Sequence, residues 1–253
     1  MKNPHHSKPK AGQKKEEPSE IRLNKFIAHC GVCSRREAAS LVKEGQIVVN
    51  GVIEYNPSYQ VKPEDQVVYQ GKRLKKEFSK IYLLMNKPKN TITTLSDEKG
   101  RKTVYDLIKS EVTERIYPVG RLDRNTTGLL LLTNDGDLAQ KLSHPSRKIK
   151  KLYHVTLDKN LSKRDFEQIL LGIKLEDGPV SVDSLAYANE KKDEIGIEIH
   201  SGKNRIVRRI FEFLGYEVLK LDRVLFAGLT KKNLPRGRYR HLTEQEIIHL
   251  KYY

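Results

Sequence analysis

No apolar run in this chain approaches the roughly 20 residues needed to cross a bilayer, and the first twenty residues lack the apolar stretch of a signal peptide. A soluble, cytoplasmic protein with no membrane partner is expected. Cysteine is scarce. Cys30 and Cys33 stand alone at C-x-x-C spacing, half a four-ligand zinc site with no second pair, and no neighbouring βαβ pattern supports a redox motif. They read as ordinary thiols at a helix end. No G-x-G-x-x-G follows a first strand, so neither Rossmann nor P-loop chemistry is indicated. Asp135-Gly136-Asp137 lacks the other ligands of a calcium loop, and neither metal nor cofactor is expected. Acidic residues are in deficit, 32 against 48 lysines and arginines, for a net charge of +16. That excess creates a positive field favouring a polyanion, nucleic acid first.

The length of 253 residues accommodates two domains, each with its own core. Residues 1–19 are Lys, Pro, His, Ser and Glu with almost nothing apolar, and read as a disordered basic tail. Within residues 20–70, Leu23, Phe26, Ile27 and Cys30 recur at helical spacing before Gly31. Ser34 and Glu37 form a capping box for a second helix whose buried stripe is Ala38, Leu41 and Val42, ending at Gly45. Asn50-Gly51 between apolar runs predicts a hairpin, and residues 67–69 a further strand. This pattern, carried by Arg22, Leu23, Lys25, Phe26, Ile27, Gly31, Ser34, Arg35, Ala38, Gly45, Val49, Asn50, Gly51 and Asp65, resembles the αL-motif RNA-binding domain named after a ribosomal small-subunit protein. Asn24 stands where that family often has aspartate. Arg22, Lys25, Arg35, Arg36 and Lys43 lie mostly away from the apolar stripe, as residues following a phosphate backbone would. Residues 71–80 read as a linker.

Residues 81–253 show strands and helices interspersed, predicting an α+β fold with a mixed, largely antiparallel sheet flanked by helices. Strands are expected at 81–85, 129–132, 151–157, 180–188 and 194–200, with extended structure at 91–94. Asn90 is a candidate for left-handed backbone, and Asn134 for the cap of a helix over 135–142. Further helical patterns cover 104–108, 161–171 and 207–214. Lys203, Arg205, Arg208 and Arg209 crowd the start of the last of these, opposing the helix dipole, which points to an anionic partner. His144, before Pro145, reads as structural.

The segment GRLDRNTTGLLLLTNDG at 120–136 concentrates the chemistry. Asp123 lies between Arg121 and Arg124 in a polar turn that opens onto an apolar strand, an arrangement able to hold a carboxylate rigidly at a loop mouth. Taken with Tyr153 in KKLYHV and Arg208 in GKNRIVRRIF, it closely resembles the bacterial ribosomal pseudouridine synthases in which an αL-motif domain precedes the catalytic domain. Lys87-Pro88, His144-Pro145 and the closing RGRYRHLTEQEI add to the resemblance, which runs from about Arg22 to Ile247. It implies isomerisation of a uridine in ribosomal RNA by a cofactor-independent enzyme, expected to be a monomer. The implied catalytic residues are Asp123, Tyr153 and Arg208, with Arg121, Leu221, Arg205 and Arg209 binding substrate. The run Arg205-Ile206-Val207-Arg208-Arg209 looks more like the large-subunit branch than the small-subunit one. A noncatalytic RNA-binding or ribosome-assembly factor is the rival reading, and the same enzyme acting on small-subunit ribosomal RNA is a narrower alternative. Whether the carboxylate attacks the anomeric carbon or removes the ribose 2-proton stays open.

Overall fold

A computed structural model describes residues 20–75 and 79–253. The chain separates into two compact units, the second beginning at Ser79. The expected tail at 1–19 lies outside the described residues, as do positions 76–78 of the expected linker.

In the first unit, β1 (Ile21–Arg22) leads into α1 (Leu23–His29) and α2 (Arg35–Lys43). The Ser34–Glu37 capping box is formed in both directions. Then come β2 (Ile47–Val49), β3 (Val52–Ile53), β4 (Gln60–Val61), β5 (Val67–Tyr69) and β6 (Lys72–Arg73). The hairpin turn has positive φ at both Asn50 (52°) and Gly51 (84°), as a tight two-residue connection requires. Asn50 donates to Asp65 at 2.8 Å and accepts from the Gln66 amide at 2.8 Å, which fixes the register. Leu23, Ile27, Ala38, Val42, Ile47 and Val67 form the core. One boundary needs correction: β6 pairs with β5, and Leu74 packs on this core, so the sheet runs past residue 70 into the segment read as linker.

The second unit holds β7 (Tyr82–Lys87), β8 (Tyr117–Pro118), β9 (Thr127–Thr133), α3 (Gly136–Ser143), β10 (Lys151–Leu157), α4 (Lys163–Leu171), β11 (Ile173–Leu175) and β12 (Gly178–Val180). β13 (Ser184–Tyr187), β14 (Glu194–Ile199), α5 (Ile206–Phe213), β15 (Val218–Phe226), β16 (Leu229–Thr230), β17 (Tyr239–His241) and α6 (Glu244–Lys251) complete it. The main sheet has the order β13-β14-β10-β15-β9-β7-β17, with β16 on β15 and β8 on β9. Among these pairings only β15 with β9 is parallel. The sheet is therefore mixed and largely antiparallel. Leu130 and Leu132 enter one core while Leu129 and Leu131 enter the other, which explains an unbroken leucine run in a central strand.

The parallel junction is unusually close. Gly128 pairs with Arg223, and a Cβ at Gly128 would stand 2.2 Å from the Arg223 carbonyl oxygen. With φ at 107°, this position admits glycine on both steric and conformational grounds. Three local expectations change. Asp135, not Asn134, caps α3, accepting from the Leu138 amide at 3.2 Å, because Asn134 is occupied by the Ile81 amide and the Ser79 carbonyl. Residues 91–94 form no strand; Ile92 makes one parallel bridge to Thr103. Val180 ends the separate β11–β12 hairpin, and only Ser184–Tyr187 pairs with β14. Asn90 does adopt left-handed backbone, with φ at 61°.

Candidate active site

The loop between β8 and β9 is held at several points. Leu122 is buried and exchanges bonds with the Thr93 hydroxyl, which donates to its carbonyl at 2.7 Å and accepts from its amide at 3.2 Å. The Thr126 amide donates to the Asp123 carbonyl at 3.1 Å. Lys87, fully buried at the end of β7, donates to the carbonyls of Thr91 (2.7 Å), Pro88 (3.1 Å) and Arg124 (3.3 Å). Burial pushes its ammonium down to about 8, opposed by the Asp123 charge and reinforced by Arg236. The backbone on both sides of Asp123 is thus fixed, while its half-buried carboxylate faces a cavity of about 480 Å³.

Tyr153 on β10 and Leu221 on β15 line the same cavity, as do Arg121 and Arg205. Tyr153 is opposite Arg223, and Val155 opposite Leu221, across the β10–β15 ladder. Sequence positions separated by about a hundred residues therefore meet because β15 lies between β10 and β9. Arg208 stands behind this lining. Its Nη1 donates to the Val218 carbonyl at 2.8 Å, and burial lowers its pKa, with Arg205 adding to the shift and the Asp123 charge opposing it. Asp123 and Arg208 interact through the field between them.

Two expected substrate contacts are engaged elsewhere. Arg209 makes a two-pronged pair with Asp177 at 2.6 and 3.0 Å, and Lys203 donates to the Asp177 carbonyl at 2.8 Å. Arg205 lines the cavity but also pairs with Glu212 at 3.3 Å. The basic crowding at α5 is offset in part within the protein, because the β11–β12 turn brings Asp177 against Lys203 and Arg209. That corrects the inference of an anionic partner from crowding alone. His144 caps a short 3-10 turn, its Nδ1 2.7 Å from the Ser146 hydroxyl, and also lines the Asp123 cavity. In the first unit Arg22, Arg35, Arg36 and Lys43 are exposed and Lys25 is half-buried.

Sequence reasoning missed Lys87 as a buried support and missed β15 as a strand. Asp222 on β15 accepts from Thr127 and Arg236, each at 2.7 Å, and from Lys231. Burial works against its charge, but the bonds from Arg236, Lys231 and Thr127 prevail and hold the carboxyl down at about 2. Arg223 beside it is 2% exposed, donates from Nε to the Leu129 carbonyl at 2.7 Å and stacks over Phe226. The Lys87-Pro88 resemblance was the one sequence signal for any of these.

A fixed acid beside an aromatic and an apolar side chain, in a cavity large enough for a nucleotide, is the geometry of a base-handling site. The family described as RNA pseudouridylate synthase matches residues 81–213, and the S4 domain matches residues 21–67. Ribosomal large subunit pseudouridine synthase B of Bacillus subtilis is 42% identical over 234 residues, covering 91% of this chain and 95% of the relative. An uncharacterized RNA pseudouridine synthase of Aquifex aeolicus is 37% identical over 235 residues, covering 91% and 94%. A solved structure described as a pseudouridylate synthase aligns with a TM-score of 0.67 at 29% identity, covering 91% of this chain and 99% of that one. The chain belongs to the RNA pseudouridylate synthase family and carries an N-terminal S4 domain. It is a pseudouridine synthase.

Proposed function

We propose that this enzyme isomerises a uridine of large-subunit ribosomal RNA and that Asp123 is its catalytic carboxylate. The observation that carries the reading is the Asp123 loop, pinned by Lys87 and Thr93 so that one carboxylate faces the cavity shared with Tyr153 and Leu221. The 42% identity to a large-subunit enzyme supports the RNA class. The exposed cations of the S4 domain supply sequence-independent affinity for its backbone.

The reaction breaks the bond from the ribose anomeric carbon to uracil N1, turns the base, and joins the same carbon to C5. C5 loses a proton and N1 gains one, so the product is an isomer and no electrons are exchanged. Asp123 acts at the sugar, either as nucleophile on the anomeric carbon or as base toward the 2-proton. Tyr153 gives a face for the extruded uracil, which cannot react while stacked in a helix. Leu221 closes the apolar side, and Arg208 lies close enough for its charge to interact with that of Asp123. No second carboxylate is required, since no sugar acceptor departs and needs a proton. Arg121, exposed at the cavity mouth, is assigned to RNA.

The test is pseudouridine mapping of ribosomal RNA from a deletion strain complemented with wild type or Asp123→Asn. One large-subunit position should lose its modification on deletion, regain it with wild type and stay unmodified with the variant. No lost position, or restoration by Asp123→Asn, would overturn the reading.

A further inference from the structure

Among the described residues of the second unit, two buried side-chain polar atoms have no hydrogen-bond partner: the Thr126 hydroxyl and Nη2 of Arg223. Each residue is 2% exposed, and both line the Asp123 cavity. A buried donor left alone costs about 1–3 kcal/mol, and native proteins rarely leave one without cause. Two in one cavity point to a missing acceptor.

The charges nearby point the same way. Lys151 also lines the cavity and donates to the carbonyls of His200 (3.0 Å), Ile149 (3.1 Å) and Ser201 (3.3 Å). It lies close enough to Arg223 for the two positive charges to repel, and burial together with that repulsion pushes its ammonium down to about 8. Among the described residues, Asp183 is the carboxylate that offsets this, and its oxygens are 2.7 and 3.0 Å from Nδ1 of His200. Neutral carbonyls satisfy Lys151 without cancelling its charge, and Arg223 is held by the Leu129 carbonyl and the Phe226 ring. The loop bonded to Lys151 continues into α5, whose first residues Ile206 and Val207 line the cavity without a side-chain cap on the helix.

We propose that Thr126, Lys151 and Arg223 form a phosphate subsite that takes the backbone phosphate adjoining the flipped uridine. The subsite rests on the reading of the cavity as the uridine site and adds what that reading lacks, a group that seats the sugar relative to Asp123. A phosphate there accepts from the Arg223 Nη2 and the Thr126 hydroxyl and relieves the repulsion between the two cations. The phosphate and the anomeric carbon are separated by one ribose, so anchoring the first limits the positions of the second.

Binding of uridine, uridine 5′-monophosphate, uridine 3′-monophosphate and inorganic phosphate to the full chain tests this, measured by calorimetry or ligand-observed NMR. One nucleotide should bind about tenfold or more tightly than uridine, the scale of a charge-assisted pair, and inorganic phosphate should compete with it but not with uridine. Arg223→Gln should shrink that gap to within about threefold. Thr126→Val, which keeps shape and removes the hydroxyl, should narrow it less and serves as second variant if Arg223→Gln does not fold. Equal binding of all ligands to wild type, a gap unchanged in every folded variant, or phosphate binding that does not compete with nucleotide would each overturn the subsite. These readouts need no turnover. Loss of pseudouridine formation by wild type itself would count against the proposed function instead.

Discussion

Lys87, fully buried, and Lys151, half-buried, lie in the same unit, each donating to three backbone carbonyls and each with its ammonium pushed down to about 8. They differ in the charge beside them. At Lys87 the larger charge effect is that of Asp123, an anion that raises its pKa against Arg236; at Lys151 it is that of Arg223, a cation that lowers it against Asp183. The first site has an anion beside its cation and holds the loop that carries Asp123. The second carries excess positive charge next to an unpartnered donor, and is suited to an anion arriving from outside. One type of side chain thus serves a fixed support in one place and a receptive surface in the other.

The largest effect should come from removing the anion beside Lys87. Asp123→Asn should lower single-turnover pseudouridine formation by at least about a thousandfold, at the upper range for a lost acid–base group, with RNA affinity changed less than about threefold. A filter-binding and turnover pair measures both. Persistent turnover would remove Asp123 from the chemistry and leave Lys87 without a catalytic neighbour.

Next in size is the seam between the two regions. β9 follows the Asp123 loop and β15 carries Arg223, and they meet at Gly128. Gly128→Ala should cost about 3–5 kcal/mol or prevent folding, since the added methyl meets backbone that cannot swing away. A thermal melt reads this directly. A stability loss below about 1 kcal/mol would show that the seam opens easily.

This seam also marks where the sequence stops being readable. The leucine run of β9, the Asn50-Gly51 hairpin and the Ser34 capping box are local patterns, and each appears where its pattern predicts. Asp123 was legible because its motif is contiguous. β15 was not, since Lys220, Asp222 and Arg223 interrupt its apolar alternation, and the partners of Asp222 and Arg223 include Thr127 and Leu129, far off in sequence, beside Lys231 and Arg236 just beyond the strand. Lys87 likewise looks like an ordinary polar end to a strand. Its burial depends on carbonyls at 88, 91 and 124, which only the folded loop gathers. The basic run at α5 was visible, but Asp177, which offsets part of it, is supplied by a hairpin that sequence did not reveal.

Replacing each lysine by methionine separates the two roles. Both variants should lose about 2–3 kcal/mol, because three carbonyls lose their donor while a costly buried charge is also removed. Kinetics should divide them. Lys87→Met loosens the Asp123 loop and should lower kcat by about tenfold with little change in KM. Lys151→Met weakens the subsite and should raise KM by about tenfold. The same parameter moving in both variants would break the distinction between support and receptive surface.

The smallest effect is a pH dependence that both lysines share. Each folded-state pKa, about 8, lies below the ordinary lysine value of 10.5. Between those values the unfolded chain binds more protons than the folded one, so stability rises with pH. Below about pH 8 both states are protonated and the penalty for burying each charge is fully present. Tyr239, raised from 10.0 to about 12, holds its proton longer when folded and so opposes the rise above about pH 10. From pH 8 to 9.5 in moderate salt, denaturant midpoints should report a gain of about 1–2 kcal/mol per lysine. Either methionine variant should lose about half of the combined rise. Saturating uridine monophosphate should steepen the difference between them, since a bound phosphate keeps Lys151 protonated to higher pH and leaves Lys87 as it was. A rise that nucleotide diminishes equally in both variants would mean that the two lysines sense the same charge.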